Sequence, residues 1–283
     1  MAKLFITLML LIGMAVAESL PGEPTTSASD LNINCKQYLA LPDRLLAVKS
    51  FDPAMILKNP MPIMNGVPCF YFVRGMMEET QGSVVTDRAH KRLVQIAWKD
   101  GGDPDWLIRD FVKYLSDNPD DLSKPAIDVL QITAGESNLI DISPVISNTL
   151  PSLKFSLDAG RLCDFCLYLD TLTDKNDKDP WHLINNVACI NFTRGMMEEA
   201  EGSFMPDLIH VKAWKQGISA AKLIDTFSSY ILTHMDDLKA PAVEVLEDTG
   251  KMYNLFDVVE PVAPPRPKRF LQSTDPPAQI REQ

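Results

Sequence analysis

The sequence predicts an all-α protein made of two tandem, homologous, small helical-bundle domains. The first observation behind this prediction is a repeat: the segment 74–79 returns letter for letter as 194–199, at an offset of 120 residues. The second is that apolar residues recur at helical spacing, whereas long alternating strand patterns between hairpin turns are missing. A six-residue identity within a longer alignment indicates duplication of one globular unit.

The two copies stay aligned well beyond the identical segment. After His90 the second copy is four residues shorter, so the offset falls to 116 and then holds. Each unit then has about a hundred residues, a common domain size. We place domain one at residues 35–146 and domain two at 163–262. The segment 147–160, which contains proline and several serines, is expected to be a linker.

The first seventeen residues are expected to be a secretory signal peptide. Lys3 precedes a short apolar run, and small residues lead to a cleavage point after Ala17. The apolar run is shorter than the roughly twenty residues that a membrane-spanning helix needs. No other stretch of the sequence has the length and apolarity to span a membrane. We therefore expect a secreted, extracellular protein.

Residues 263–283 are expected to be a disordered, proline-rich tail. Within it, Arg266, Lys268 and Arg269 form a segment that resembles the Arg-x-Lys-Arg sites cut by furin-type proprotein convertases. Cleavage after Arg269 would release the last fourteen residues. The alternative is a basic cluster in a flexible tail, since motifs of four residues recur by chance.

The composition is acidic, with a formal net charge of −11. A surface of this sign repels phosphate backbones and argues against nucleic acid as a partner. It is compatible with cationic partners or weak calcium association, and its simplest role is solubility.

Five cysteines in a secreted chain of this length indicate a few disulfides. Cys35 is expected to pair with Cys69, and either Cys163 or Cys166 with Cys189. One thiol remains, which is buried, capped or available for a disulfide-linked dimer. Cys163 and Cys166 also have the spacing of a redox dithiol, but the strand-to-helix setting of such motifs is missing, so structural pairing is favoured.

The repeated segment reads as an amphipathic helix. On a helical wheel of residues 69–81, the apolar side chains share one arc and Tyr71, Arg74 and Glu78 lie opposite. Gly75 and Gly195 are unfavourable inside a helix, which indicates that another backbone passes close by. The alternative role of the apolar arc is to line a cavity for a small apolar ligand. Its candidate lining residues are Phe72, Met76, Met77, Phe192, Met196 and Met197.

Asn191 begins the single N-glycosylation sequon of the chain. On the wheel it lies on the polar face, so a glycan is sterically compatible. Its counterpart in the first copy is Tyr71, which predicts that only one domain is modified.

The segment from Thr86 to Lys99 is predicted to be a helix, with Thr86 and Asp87 as its cap and first turn. An acid and an imidazole three residues apart then share one face, which makes a metal site conceivable. The candidate ligands are Asp87, His90, Asp207 and His210. The competing interpretation is that an acid in a first helical turn only complements the helix dipole.

Motifs of catalysis are missing: the sequence contains no Gly-x-Ser-x-Gly, no His-Glu-x-x-His and no phosphate-binding glycine loop. We therefore predict a non-enzymatic protein without a cofactor. Its expected role is that of an extracellular binding or structural component whose partner is an unidentified protein. The alternatives are a carrier of a small apolar ligand and a metal-binding protein that uses the Asp-x-x-His pairs.

Overall fold

The computed structural model describes residues 25–41, 60–87, 90, 92–144, 153, 156–167, 179–201, 208–210, 212–215 and 217–258. This part of the chain is mostly helical, with eight α-helices and six short strands. The predicted signal peptide with Ala17, the tail with Arg266, Lys268 and Arg269, and most of the predicted linker lie outside the described residues.

The elements follow one another in the same order in both copies of the repeat. The first copy contains α1 (Ala28–Leu39), α2 (Pro60–Thr80), β1 (Val84–Asp87), β2 (Arg92–Trp98), α3 (Pro104–Asp117), α4 (Ala126–Glu136) and β3 (Ile140–Pro144). The second contains α5 (Ala159–Cys166), α6 (Pro180–Glu201), β4 (Leu208–His210), β5 (Lys212–Trp214), α7 (Ala220–Ile231), α8 (Ala242–Met252) and β6 (Phe256–Val258).

The long helices α2 and α6 cross at the centre of the described structure, and their crossing point is at the two repeated glycines. A Cβ atom at Gly75 would lie 2.0 Å from the carbonyl oxygen of Phe192. A Cβ atom at Gly195 would lie equally close, 2.0 Å, to the carbonyl oxygen of Phe72. Only glycine permits this approach, because no side chain can occupy that space. The predicted close backbone contact is therefore confirmed, and each helix supplies it to the other.

Two disulfides fasten the first helix of each copy to its long helix. Cys35 bonds to Cys69, as predicted, and Cys166 rather than Cys163 bonds to Cys189. Cys163 is a half-buried free thiol, and burial raises its pKa. A dimer linked through this cysteine finds no support, because the other four cysteines pair within the chain.

The predicted helix from Thr86 to Lys99 is wrong. Residues 84–87 and 92–98 are the antiparallel strands β1 and β2, and β3 pairs with the other side of β2. The side chains of Val94, Ile96 and Trp98 are buried, in the period-two pattern of a strand with one face on the core. A helix was predicted because the apolar residues of this segment also fit helical spacing, and a short apolar run does not distinguish the two periods.

Strand β4 of the second copy completes a four-stranded sheet of order β3-β2-β1-β4. Asp87 on β1 lies opposite Arg92 on one side and Leu208 on the other. Strand β1 therefore pairs with β2 of its own copy along one edge and with β4 of the second copy along the other. The remaining strands, β5 and β6, form a two-stranded sheet.

The protein is thus mostly helical with small sheets, rather than all-α as predicted. Buried apolar residues from both copies join in one continuous core. The division into domains 35–146 and 163–262 remains a prediction. Across the described helices, none has both the length and the apolarity to cross a bilayer.

Candidate functional site

Glu78 of the repeated segment lies inside the molecule, although the helical wheel placed it on the surface. The Glu78 side chain is 4% exposed and its Oε1 atom lies 2.9 Å from Nε of Arg74. The same oxygen accepts a hydrogen bond of 2.9 Å from the backbone N–H of Leu157, just before α5 of the second copy. Tyr71, also predicted to face outward, is buried against Phe165 of α5. The wheel failed because α2 is covered on two sides.

Glu198 makes the reciprocal contact from the second copy. Its Oε1 atom lies 2.8 Å from Nε of Arg194. The Thr26 backbone N–H donates to both carboxylate oxygens at 3.1 and 3.0 Å, and the Thr26 hydroxyl donates to Oε1 at 2.7 Å. Thr26 stands just before α1, as Leu157 stands before α5. Each glutamate therefore holds the start of the other copy's first helix, and we call these two contacts the clasps.

The two clasps differ in how well they satisfy the carboxylate. Glu198 accepts from a hydroxyl, whereas Leu157 at the equivalent position has an apolar side chain. Within the described structure, the buried Oε2 atom of Glu78 has no hydrogen-bond partner. Burial raises the pKa of Glu78 to about 7, and Arg74 and the Leu157 N–H offset this only in part.

The second glutamate of the motif is also internal in the second copy. Glu199 is fully buried, and Nε2 of Gln131 on α4 donates to its Oε2 atom at 2.8 Å. Glu79 is partly buried. The Glu199 side chain is thus internal for the same reason as that of Glu78, because its helix is covered on more than one side.

Asp87 and His90, two of the predicted metal ligands, do meet. Asp87 ends β1 instead of opening a helix, and its Oδ2 atom lies 2.8 Å from Nδ1 of His90 and 3.2 Å from Nε of Arg92. These partners, the His90 backbone N–H foremost, lower the pKa of Asp87. The Asp87 carboxylate therefore already has a cationic partner, the guanidinium of Arg92, which favours a structural role for Asp87.

The second pair of predicted ligands is less informative. His210 lies on β4 opposite Val85, and Asp207 lies outside the described residues. In the part of the chain that the structure describes, no three histidine, cysteine or acidic side chains form a group that could hold a metal ion. Metal binding by the Asp-x-x-His pairs stays a prediction.

The side chains predicted to line a ligand cavity all belong to the core. They are Phe72, Met76, Met77, Phe192, Met196 and Met197. The two phenylalanines supply the carbonyl oxygens at the glycine crossing, and the Met77 carbonyl accepts from Nε1 of Trp98 at 2.8 Å. The predicted arc is therefore buried where helices meet, and its use as a ligand cavity stays a prediction.

Asn191, the predicted glycosylation site, lies in the middle of α6. It is partly buried, and its Nδ2 atom donates to the carbonyl oxygen of Val187 at 2.8 Å. A glycan on Nδ2 would have to replace this bond. The modification stays a prediction.

A pair of exposed apolar side chains follows α7, and sequence reasoning missed it. Leu232 is 77% exposed and Met235, three residues on, is 59% exposed. Their repeat equivalents in the first copy are Ser116 and Pro119. The repeat alignment could have revealed this pair. At these two positions the first copy has a serine and a proline, whereas the second copy has two large apolar residues.

The backbone around this turn is held in the same way in both copies. The Tyr230 hydroxyl donates to Asp237 at 2.8 Å, and the Tyr114 hydroxyl donates to Asp121 at the same distance. In the second copy the Tyr230 ring also stacks on His234, with 4.0 Å between ring centroids. The turn is thus a fixed platform whose exposed residues differ between the copies.

Comparison of the chain with models of known families, with curated proteins and with solved structures gave no match.

Proposed function

We propose that the protein is a secreted, non-enzymatic protein of two homologous domains that acts as an extracellular binding component. The observation that carries the proposal is the exposed pair Leu232 and Met235, which we call the apolar turn. Isolated exposed apolar residues are common on soluble proteins, but two large ones within a single turn favour contact with a partner.

The surroundings of the apolar turn support a binding role over a purely structural one. The glycine crossing and the clasps join the two copies at several points, and a disulfide fastens the first two helices within each copy. A surface on such a rigid body binds with little loss of conformational freedom. Because the equivalent turn of the first copy carries Ser116 and Pro119, one partner per chain is expected.

The expected partner presents an apolar side chain beside a basic one. Leu232 and Met235 supply the apolar contact, and exposed Asp236 adds negative charge beside them. The net charge of −11 favours the approach of a cationic partner in the same way. Secretion is supported by the predicted signal peptide and by two internal disulfides, which persist in oxidising compartments.

The proposal is tested with a double variant, Leu232→Ser with Met235→Pro, which copies the turn of the first repeat. Tagged protein is recovered from the medium of secreting cells, and the proteins that co-purify are quantified by mass spectrometry. We expect at least one partner to bind the wild type directly in purified form and to lose roughly tenfold or more in affinity for the variant, as for a small hot spot.

The matched control is Leu93→Ser, which removes an exposed apolar side chain from β2 of the first copy. It is expected to leave the partner's affinity unchanged. Equal affinity of the partner for wild type and double variant, or equal loss in the control, would refute the apolar turn as the binding surface.

A further inference from the structure

A single buried carboxylate joins α2 of the first copy to the start of α5 in the second. Glu78 Oε1 accepts from Nε of Arg74 at 2.9 Å and from the Leu157 N–H at 2.9 Å. Leu157 lies just before α5, where the chain enters the first helix of the second copy. The protonation state of Glu78 therefore affects the junction between the two copies.

The clasp at Glu198 has a hydrogen-bond donor that the clasp at Glu78 lacks. At Glu198 the Thr26 hydroxyl supplies an additional donor at 2.7 Å. Leu157 has no such group, and Oε2 of Glu78 is buried without a hydrogen-bond partner among the described residues. A buried carboxylate with few donors is poorly stabilised in its charged form.

We infer that the Glu78–Leu157 clasp is a pH-sensitive latch, which opens more readily when Glu78 loses its proton. Opening exposes the carboxylate to water, where its charge is well solvated. This inference goes beyond the proposed binding function and does not depend on it.

Among the described charged side chains around α2, Arg74 is the ionic partner of Glu78. Within the described structure, Arg74 is the charged side chain that acts on Glu78, and it favours the ionised form. On the neighbouring helices, Arg161 lies over the ring of Phe165, Arg194 pairs with Glu198, Lys251 pairs with Glu247, and Asp105 accepts from Tyr38.

The direction of the pH effect follows from proton linkage. Burial raises the pKa of Glu78 to about 7 in the closed latch, against an ordinary value of 4.5. Between these values the closed form binds more protons than the open form. Opening therefore becomes easier as pH rises through this window, by up to about tenfold per pH unit, and is constant above it.

The test is hydrogen exchange of the Leu157 amide between pH 5 and 8, corrected for the intrinsic exchange rate. For the wild type we expect protection to fall about tenfold per unit up to pH 7 and then to level off. Glu78→Gln is expected to abolish this dependence, because its amide keeps an acceptor for Leu157 but cannot ionise. Glu198→Gln, the matched control, is expected to retain it.

A second variant, Leu157→Thr, supplies the hydroxyl that the first copy uses at this position. It is expected to shift the pH window of Leu157 exchange downward by about one unit or more. Direct titration of the Glu78 carboxyl by carbon NMR in the full chain gives the same information if a variant fails to fold. Protection of Leu157 that does not vary with pH, or the same pH dependence in Glu78→Gln, would overturn the latch.

Discussion

The centre of the molecule and its surface turns differ in how closely the two copies of the repeat match each other. At the centre, both copies retain the glycine crossing, the disulfide and a clasp. At the turn after the third helix of each copy, Ser116 and Pro119 correspond to exposed Leu232 and Met235. Close packing tolerates few side chains, whereas a solvated turn tolerates many, so divergence gathers where it costs little.

The largest expected effect breaks the crossing at the centre. Gly75→Ala places a Cβ 2.0 Å from a backbone oxygen that cannot move alone, so the helices must separate. We expect a loss of about 3 kcal/mol or more in the free energy of unfolding, measured by denaturant titration. Gly160→Ala, where the closest backbone oxygen is at 3.0 Å, should cost less. A larger loss of stability for Gly160→Ala than for Gly75→Ala would contradict the close contact at the crossing.

Removal of either disulfide tests whether the two copies are fastened equally. The bonds close loops with sequence separations of 34 and 23 residues. Chain entropy predicts losses of roughly 3–4 kcal/mol each, equal within about 0.5 kcal/mol, for Cys35→Ser with Cys69→Ser and for Cys166→Ser with Cys189→Ser. Thermal unfolding under non-reducing conditions measures this. Cys163→Ser, the control, should change stability far less, and a comparable loss there would argue against the assigned pairing.

The pH dependence of stability sharpens the comparison between the two clasps. Since folding raises the pKa of Glu78 from 4.5 to about 7, the wild type binds more protons folded than unfolded in this window. Its free energy of unfolding should therefore fall by about 2–3 kcal/mol through this group from pH 5 to pH 8. Glu78→Gln should lack that contribution. Denaturation curves of both proteins at several pH values test this, and parallel profiles would count against it.

The hydroxyl of Thr26 is the next smaller contribution. Thr26→Val keeps the shape of the side chain but removes the donor to partly buried Glu198. We expect a loss of about 1–2 kcal/mol in the free energy of unfolding, because a hydrogen bond to a charged group is lost. Glu198→Gln with Thr26→Val, compared with each single variant, isolates the pairwise energy. Additive losses would show that the hydroxyl does not act through the carboxylate.

The smallest effect on stability is expected at the apolar turn. Leu232→Ser removes an exposed side chain that few neighbours cover, so the free energy of unfolding should change by less than about 0.5 kcal/mol. Thermal unfolding and partner affinity are measured on the same sample. A large loss of stability would show that Leu232 is a packing residue and would remove it from the proposed binding surface.

Several features of the site could be predicted from the residues, and the failures have physical causes. The glycine contact was predictable because glycine is unfavourable inside a helix, and its presence at the same position in both copies indicates that a side chain is excluded there. The strands β1 and β2 were missed, since a short apolar run fits two periodicities and only pairing with β3 and β4 selects one. The buried glutamates were missed because a helical wheel assumes a single buried face.

The residues alone revealed the internal repeat, the pairing of Cys35 with Cys69 and the need for a close backbone approach at Gly75 and Gly195. These depend on local chemistry or on comparison of one copy with the other. The folded chain was needed to show that Cys166 pairs with Cys189, that Glu78 and Glu198 hold the opposite copy, and that β1 pairs with strands of both copies. Each depends on which surfaces meet between residues that lie from 23 to 172 positions apart in the chain, and no local pattern encodes these contacts.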